Sequence, residues 1–181
     1  MKEKDIPDSI RKQVVFTLKH FPDLVNTPIT FRFKENLTRS FMQAQPDLKS
    51  IFSTVKNRSY TIYISKNFNI EGSPFSIEDL PENVLIGWIA HELGHIIDYK
   101  DRSTLDLFWF GFKYVTMGKH LREAERQADL FAIKNGMGDY IVQTKNFILN
   151  NSSLSERYKE RIKRLYLSPE DIMQLLEKIE N

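Results

Sequence analysis

One stretch, IAHELGHIIDY from Ile89 to Tyr99, constrains this chain more than any other. It has the composition of a core helix, yet it carries two histidines, a glutamate and an aspartate. On a helix advancing roughly 100° per residue, His95 falls about 40° from His91, Asp98 about 20° to the other side and Glu92 about 100° round. Leu85, Ile86, Ile89, Ala90, Leu93, Ile96 and Ile97 gather on the opposite side. Such a helix buries an apolar stripe behind and turns its proton-carrying and metal-binding groups toward a cleft in front.

The spacing has a chemical reason. Two imidazoles four residues apart can bind one zinc ion through nitrogen. Glu92 lies to the side of the pair, where it can reach a water on the ion without becoming a ligand. Zinc lowers the pKa of such a water toward neutrality, so a glutamate can take its proton while the oxygen attacks a polarised carbonyl. The chain has only four His in 181 residues. Random placement gives about 0.006 matches to His-Glu-x-x-His, so composition alone does not account for the motif. The competing explanation is a helix that exposes its His and Glu to water, and a third ligand weighs against it.

A third ligand is available downstream, in HLREAERQADLFAIKNG from His120 to Gly136. This segment has helical composition and stops at a glycine suited to end a helix. Glu125 and Asp129 are four apart and share a face, with Ala128 and Ala132 on the same side. Small residues there allow a close approach to the first helix. Glu125 would complete the zinc shell, and Asp129 would accept the other ring N–H of a ligand histidine. An exposed helix with charge pairs such as Glu125 with Arg122 is the alternative. Asp98 also keeps open a ligand position on the first helix itself.

HELGH followed by EAERQADLFA resembles the gluzincin zinc metallopeptidases, and in size and order the compact soluble minigluzincins. The resemblance covers about Tyr60 to Gly136. It implies His91, His95 and Glu125 as ligands of Zn2+, Glu92 as general base and Asp129 as the acceptor behind a ligand imidazole. It implies an α+β, zincin-like fold: a small mixed sheet of three to four strands packed on an active-site helix, with a helical C-terminal part and five or six helices in all. Asp98 departs from the pattern. Some other zinc peptidases take a third ligand further along the first helix; otherwise such an aspartate sits behind the ligands or in a helix-face salt bridge.

Upstream, DSIRKQVVFTLKHF puts Ile10, Val14 and Leu18 on one stripe of a helix that ends before Pro22. Strand-like runs follow at 29–33, 40–45, 50–55 and 60–65. The resemblance suggests 60–65 as a sheet edge above the metal, where an extended substrate adds by backbone hydrogen bonds, with Ile62, Tyr63 and Ile64 as substrate contacts. An interior strand without a substrate role is the alternative. The loop 67–83 has room for a short turn of helix, and Pro81 suits a helix's first turn. Gly87 and Gly94 inside the motif helix imply close backbone approach, at Gly94 by the sheet or the substrate. The aromatic run TLDLFWFGFKYV, 104–115, reads as a helix or hairpin supplying core aromatics, as a lid near the site, or as a segment dipping into a membrane surface. His20 and His120 read as ordinary partly exposed residues; His120, Tyr114 and Tyr140 are weak candidates for hydrogen bonding to a transition state. The last 45 residues read as amphipathic helices, and the basic run 157–164 as a solvated face.

Length fits one domain, read as a catalytic part at 1–136 and a helical extension at 137–181 packed on it. A net charge of +2 implies no nucleic-acid partner. No apolar run reaches membrane-spanning length. Without cysteine, disulfides and thiolate sites are excluded. The charged start MKEKDIPDSI is not a signal peptide, so the expected location is cytoplasmic, a processed secreted form being compatible as well. The expected function is zinc-dependent endopeptidase cleavage of a peptide or protein substrate. Two alternatives stand beside it: a metal-binding regulatory domain that binds or clips one partner protein, and a zinc-stabilised, zymogen-like domain whose cleft is blocked by its own tail.

Overall fold

The computed structural model describes residues 4–35, 37, 40–54, 57–69, 74–77, 80–151 and 154–180. A four-stranded sheet is built from β1 (Lys4–Asp5), β2 (Ile29–Lys34), β3 (Met42–Pro46) and β4 (Tyr60–Ser65), in the order β1-β2-β4-β3. The first three neighbours run parallel, and β3 runs antiparallel to β4 with Ala44 opposite Ile62. A separate hairpin joins β5 (Asn67–Asn69) to β6 (Pro74–Ser76). Among the described residues there are seven α-helices: α1 (Arg11–Lys19), α2 (Glu82–Lys100), α3 (Thr104–Thr116), α4 (Gly118–Lys134), α5 (Gly138–Asn150), α6 (Glu156–Leu165) and α7 (Pro169–Glu180). The class is α+β.

The strand expected at the edge is an interior one. β4 has β2 on one side and β3 on the other, and Ile62 and Ile64 are 0 % exposed. A strand covered on both faces is apolar almost throughout, and in β4 only Tyr63 is half-buried. Ile62, Tyr63 and Ile64 therefore belong to the sheet's interior rather than to a substrate surface. The edges are β1 and β3, and β3, beside the motif helix, carries two glutamines and ends in proline, as suits an edge. The run at 50–55 forms turns instead of a strand over its described part, and Val55 lies outside the described residues. The loop 67–83 holds a hairpin followed by a short 3-10 turn at Ile77, whose carbonyl accepts the Leu80 N–H, with 70–73 and 78–79 outside the described residues.

α2 is the axis of the molecule. Every residue from Val84 to Ile97 is buried, because β3 covers one side and α1, α4 and α5 the others. Gly94 and Gly87 make this possible. A Cβ on Gly94 would collide with the Ala128 backbone of α4, and one on Gly87 with the Tyr140 carbonyl of α5. Gly94 thus admits a neighbouring helix, not the sheet or a substrate. The aromatic segment is the helix α3. Ser103 and Asp106 form a capping box at its start, which decides helix over hairpin. Residues on both sides of position 136 share one core: Ile141, Ile148 and Ile162 pack with Leu93 and Ile96 of α2.

Candidate metal centre

α2 carries His91 and His95 one turn apart, and α4 brings Glu125 against them. One atom from each of the three lies within 4.8 Å of the others. His91 Nε2 is 3.1 Å and His95 Nε2 3.3 Å from the same Glu125 oxygen, Oε2. The rings stand nearly perpendicular, at 87° with centroids 4.7 Å apart, so the two nitrogens approach from different directions. Glu125 Oε1 accepts a hydrogen bond from the Tyr114 hydroxyl at 2.6 Å. That leaves Oε2 turned to the imidazoles.

Behind His91, Nδ1–H donates to Asp129 Oδ1 at 2.8 Å, which fixes the ring and points Nε2 at Glu125. Asp129 is fully buried and accepts two more bonds, from Lys145 Nζ at 3.2 Å and from the Leu167 backbone N–H at 3.2 Å. Tyr166 lies over His91 at a ring separation of 5.3 Å. His95 differs: its Nδ1 is buried without a hydrogen-bond partner among the described residues, and its ring stacks on Tyr99.

Charge follows the geometry. Burial pulls the His91 pKa down, but its bonds to Asp129 and Glu125 outweigh that and raise it to about 9. Burial also acts against an ionised Glu125, yet the two imidazoles hold it well below the usual carboxylate range. Glu92 goes the other way. Burial lifts its pKa, opposed only in part by His95 and His91, and its Oε2 accepts the Ala44 backbone N–H of β3 at 2.6 Å. A carboxyl raised in this way holds a proton more readily than an ordinary carboxylate, as a group that accepts and returns one must.

Two imidazole nitrogens and a carboxylate oxygen converging in a buried site are the donor set that zinc takes, and three protein ligands leave one position for solvent or substrate. The residues present fit such an ion. Glu92, His95 and Glu125 form the floor of a cleft of about 760 Å³. β3 lines one side of it with Gln43, Ala44 and Gln45, and α3 lines another with Leu107, Phe108 and Phe112.

Several expected site residues lie elsewhere. Asp98 stands apart from the ligand group; both its oxygens are engaged by Arg102, at 2.9 and 3.0 Å, one turn along α2. His120 pairs with Glu123, His20 packs on Phe16, and Tyr140 also packs on Phe16. Lys145, Tyr166, the Leu167 amide and the Ala44 amide were not foreseen. No local pattern marks them, since each reaches the site from a distant segment. Arg161, read as part of a solvated face, lines the cleft.

No protein-family model matches the chain, and no curated protein and no solved structure matches it either.

Proposed function

We propose that this chain is a zinc-dependent metallopeptidase of the gluzincin kind, with a zincin-like arrangement of sheet and motif helices. The observation that carries the proposal is the convergence of His91, His95 and Glu125 beside a buried Glu92 of raised pKa. His91, His95 and Glu125 would hold Zn2+, which supplies a Lewis acid for the scissile carbonyl and lowers the pKa of water. Glu92 takes the proton of the attacking water and delivers it to the leaving nitrogen. Asp129 and Tyr114 orient His91 and Glu125. The outer edge of β3 receives an extended peptide by backbone hydrogen bonds, and the apolar wall of α3 receives its side chains. The cleft-lining α3 residues Phe108, at 50 % exposure, and Phe112, at 55 %, support a substrate with large apolar groups.

The low exposure of the four groups, 2–5 % each, favours a zymogen-like domain as the second reading. One experiment separates the readings. The purified chain should bind about one zinc per molecule, as a site of three ligands does, and should cleave members of a mixed peptide library in a chelator-sensitive way. Glu92→Gln should keep the zinc and lose about 10²–10⁴-fold in rate. Zinc without hydrolysis would select the zymogen-like reading, and cleavage of a single partner protein the regulatory one. A chain that refuses zinc would remove all three.

A further inference from the structure

Lys145 is a buried cation that peptide hydrolysis does not call for. It stands on α5, is 5 % exposed, and places Nζ 3.2 Å from Asp129 Oδ1. The Tyr166 ring covers it, with Nζ 3.9 Å from the ring centre. It lines the same small cavity as His91 and Glu92. Burying an ammonium is costly: burial pulls the Lys145 pKa below its usual value, and the charge and hydrogen bond of Asp129 oppose that in part, with the face of Tyr166 beside the ammonium. An aspartate that only had to orient His91 would need no cation beside it, since the Leu167 amide already serves its other oxygen.

The charges explain the arrangement. Glu92, Glu125 and Asp129 are three buried carboxylates within one cluster. Lys145 offsets the charge of Asp129, the carboxylate that its Nζ touches. Its bond to Asp129 also divides that carboxylate between donors, so less of its charge is spent on drawing the His91 Nδ1 proton. A ligand imidazole drawn less strongly gives less electron density to the metal.

Resting on the metallopeptidase reading, we propose that Lys145 is a positioning residue that tunes the metal centre: by sharing Asp129 Oδ1 with His91 it limits the electron density that this imidazole passes to the metal, giving up some metal affinity for Lewis acidity. Its removal should therefore tighten zinc binding and slow hydrolysis, where a residue with a merely structural role would loosen the metal or leave it unchanged.

The test is a zinc competition titration on the full-length chain, its Lys145→Met, Lys145→Gln and Lys145→Arg variants, with circular dichroism to establish folding. Lys145→Met and Lys145→Gln should bind zinc about tenfold more tightly, at the lower end of what changes behind a metal ligand produce, and turn over peptide more slowly. Lys145→Arg keeps the charge and should return zinc affinity to that of the wild type. Neutral variants that fold and bind zinc no more tightly overturn the inference while leaving the metallopeptidase reading intact. Failure of both neutral variants to fold would make Lys145 a structural ion-pair partner and overturn it as well. A wild-type chain that binds no zinc removes the underlying reading, and this inference with it.

Discussion

His91 connects the chemistry of the site to pH. Its pKa in the metal-free protein is about 9, against about 6.5 for an unperturbed histidine. A raised histidine stabilises the fold fully below the lower value, and that contribution is lost as pH rises through the upper one. The metal-free protein should therefore melt at progressively lower temperature between pH 7 and 9.5, measured by thermal circular dichroism in the presence of a chelator. Zinc must also displace the His91 proton. At pH 7.5, binding should release about one proton, read by calorimetry in buffers of different ionisation enthalpy, and the release should fade above pH 9. Equal apparent enthalpies in all buffers at pH 7.5 would show that His91 is neutral before the metal arrives. Tyr114 offers a second test at this scale. Tyr114→Phe keeps the ring and removes the hydroxyl from Glu125, so zinc affinity should fall about 10–100-fold. Asp98→Ala removes only the partner of Arg102 and should leave zinc affinity close to that of the wild type.

At the scale of elements, the site depends on how closely α2 and α4 approach. Glu125 reaches both imidazoles because Gly94 lets the Ala128 backbone lie against α2. In an isolated helix, Gly94→Ala would raise stability by about 1 kcal/mol. Here the added methyl meets backbone that cannot move aside, so overpacking should cost about 1–3 kcal/mol. Denaturant titration would measure the loss, and zinc affinity should fall with it because Glu125 is pushed away. A more stable Gly94→Ala protein would mean that the helices do not touch there. α3 gives the second test. Phe108 and Phe112 line the cleft and stay half-exposed, so Phe112→Ala should leave thermal stability nearly unchanged. Its effect should appear as a raised KM for peptides with large apolar side chains, with kcat largely preserved.

At the scale of the whole molecule, the C-terminal helices are part of the centre. α5 brings Lys145, and the α6–α7 junction brings Tyr166 and the Leu167 amide, all onto Asp129 or His91. Ile148 of α5 is 2 % exposed in the common core. Ile148→Ala should cost about 2–5 kcal/mol and weaken zinc binding as well, since loosening α5 loosens the support of Asp129. A variant destabilised by that amount with unchanged zinc affinity would show that 137–181 and the metal centre are independent.

Local periodicity determined much of this protein. The motif helix, the helix bearing Glu125 and Asp129, and α1 with its Ile10, Val14 and Leu18 stripe are written in spacings of three and four residues, because a helix closes its hydrogen bonds and sets its faces within its own segment. The candidate ligand set follows from that geometry, and so does the need for small residues between the two motif helices. Strand order carries no such local mark. Whether 60–65 or 42–46 forms the edge depends on partners elsewhere in the chain, and the near-continuous burial of β4 became evident only when the sheet was assembled. The same holds for Asp98, which a guanidinium one turn away claims, and for Ala44, Lys145 and Leu167, which acquire their roles by arriving at the site from 48, 16 and 38 residues away from the groups they bond. Short-range sterics and hydrogen bonding choose the elements; long-range packing around α2 decides which strand faces the cleft and which charge lies behind the ligands.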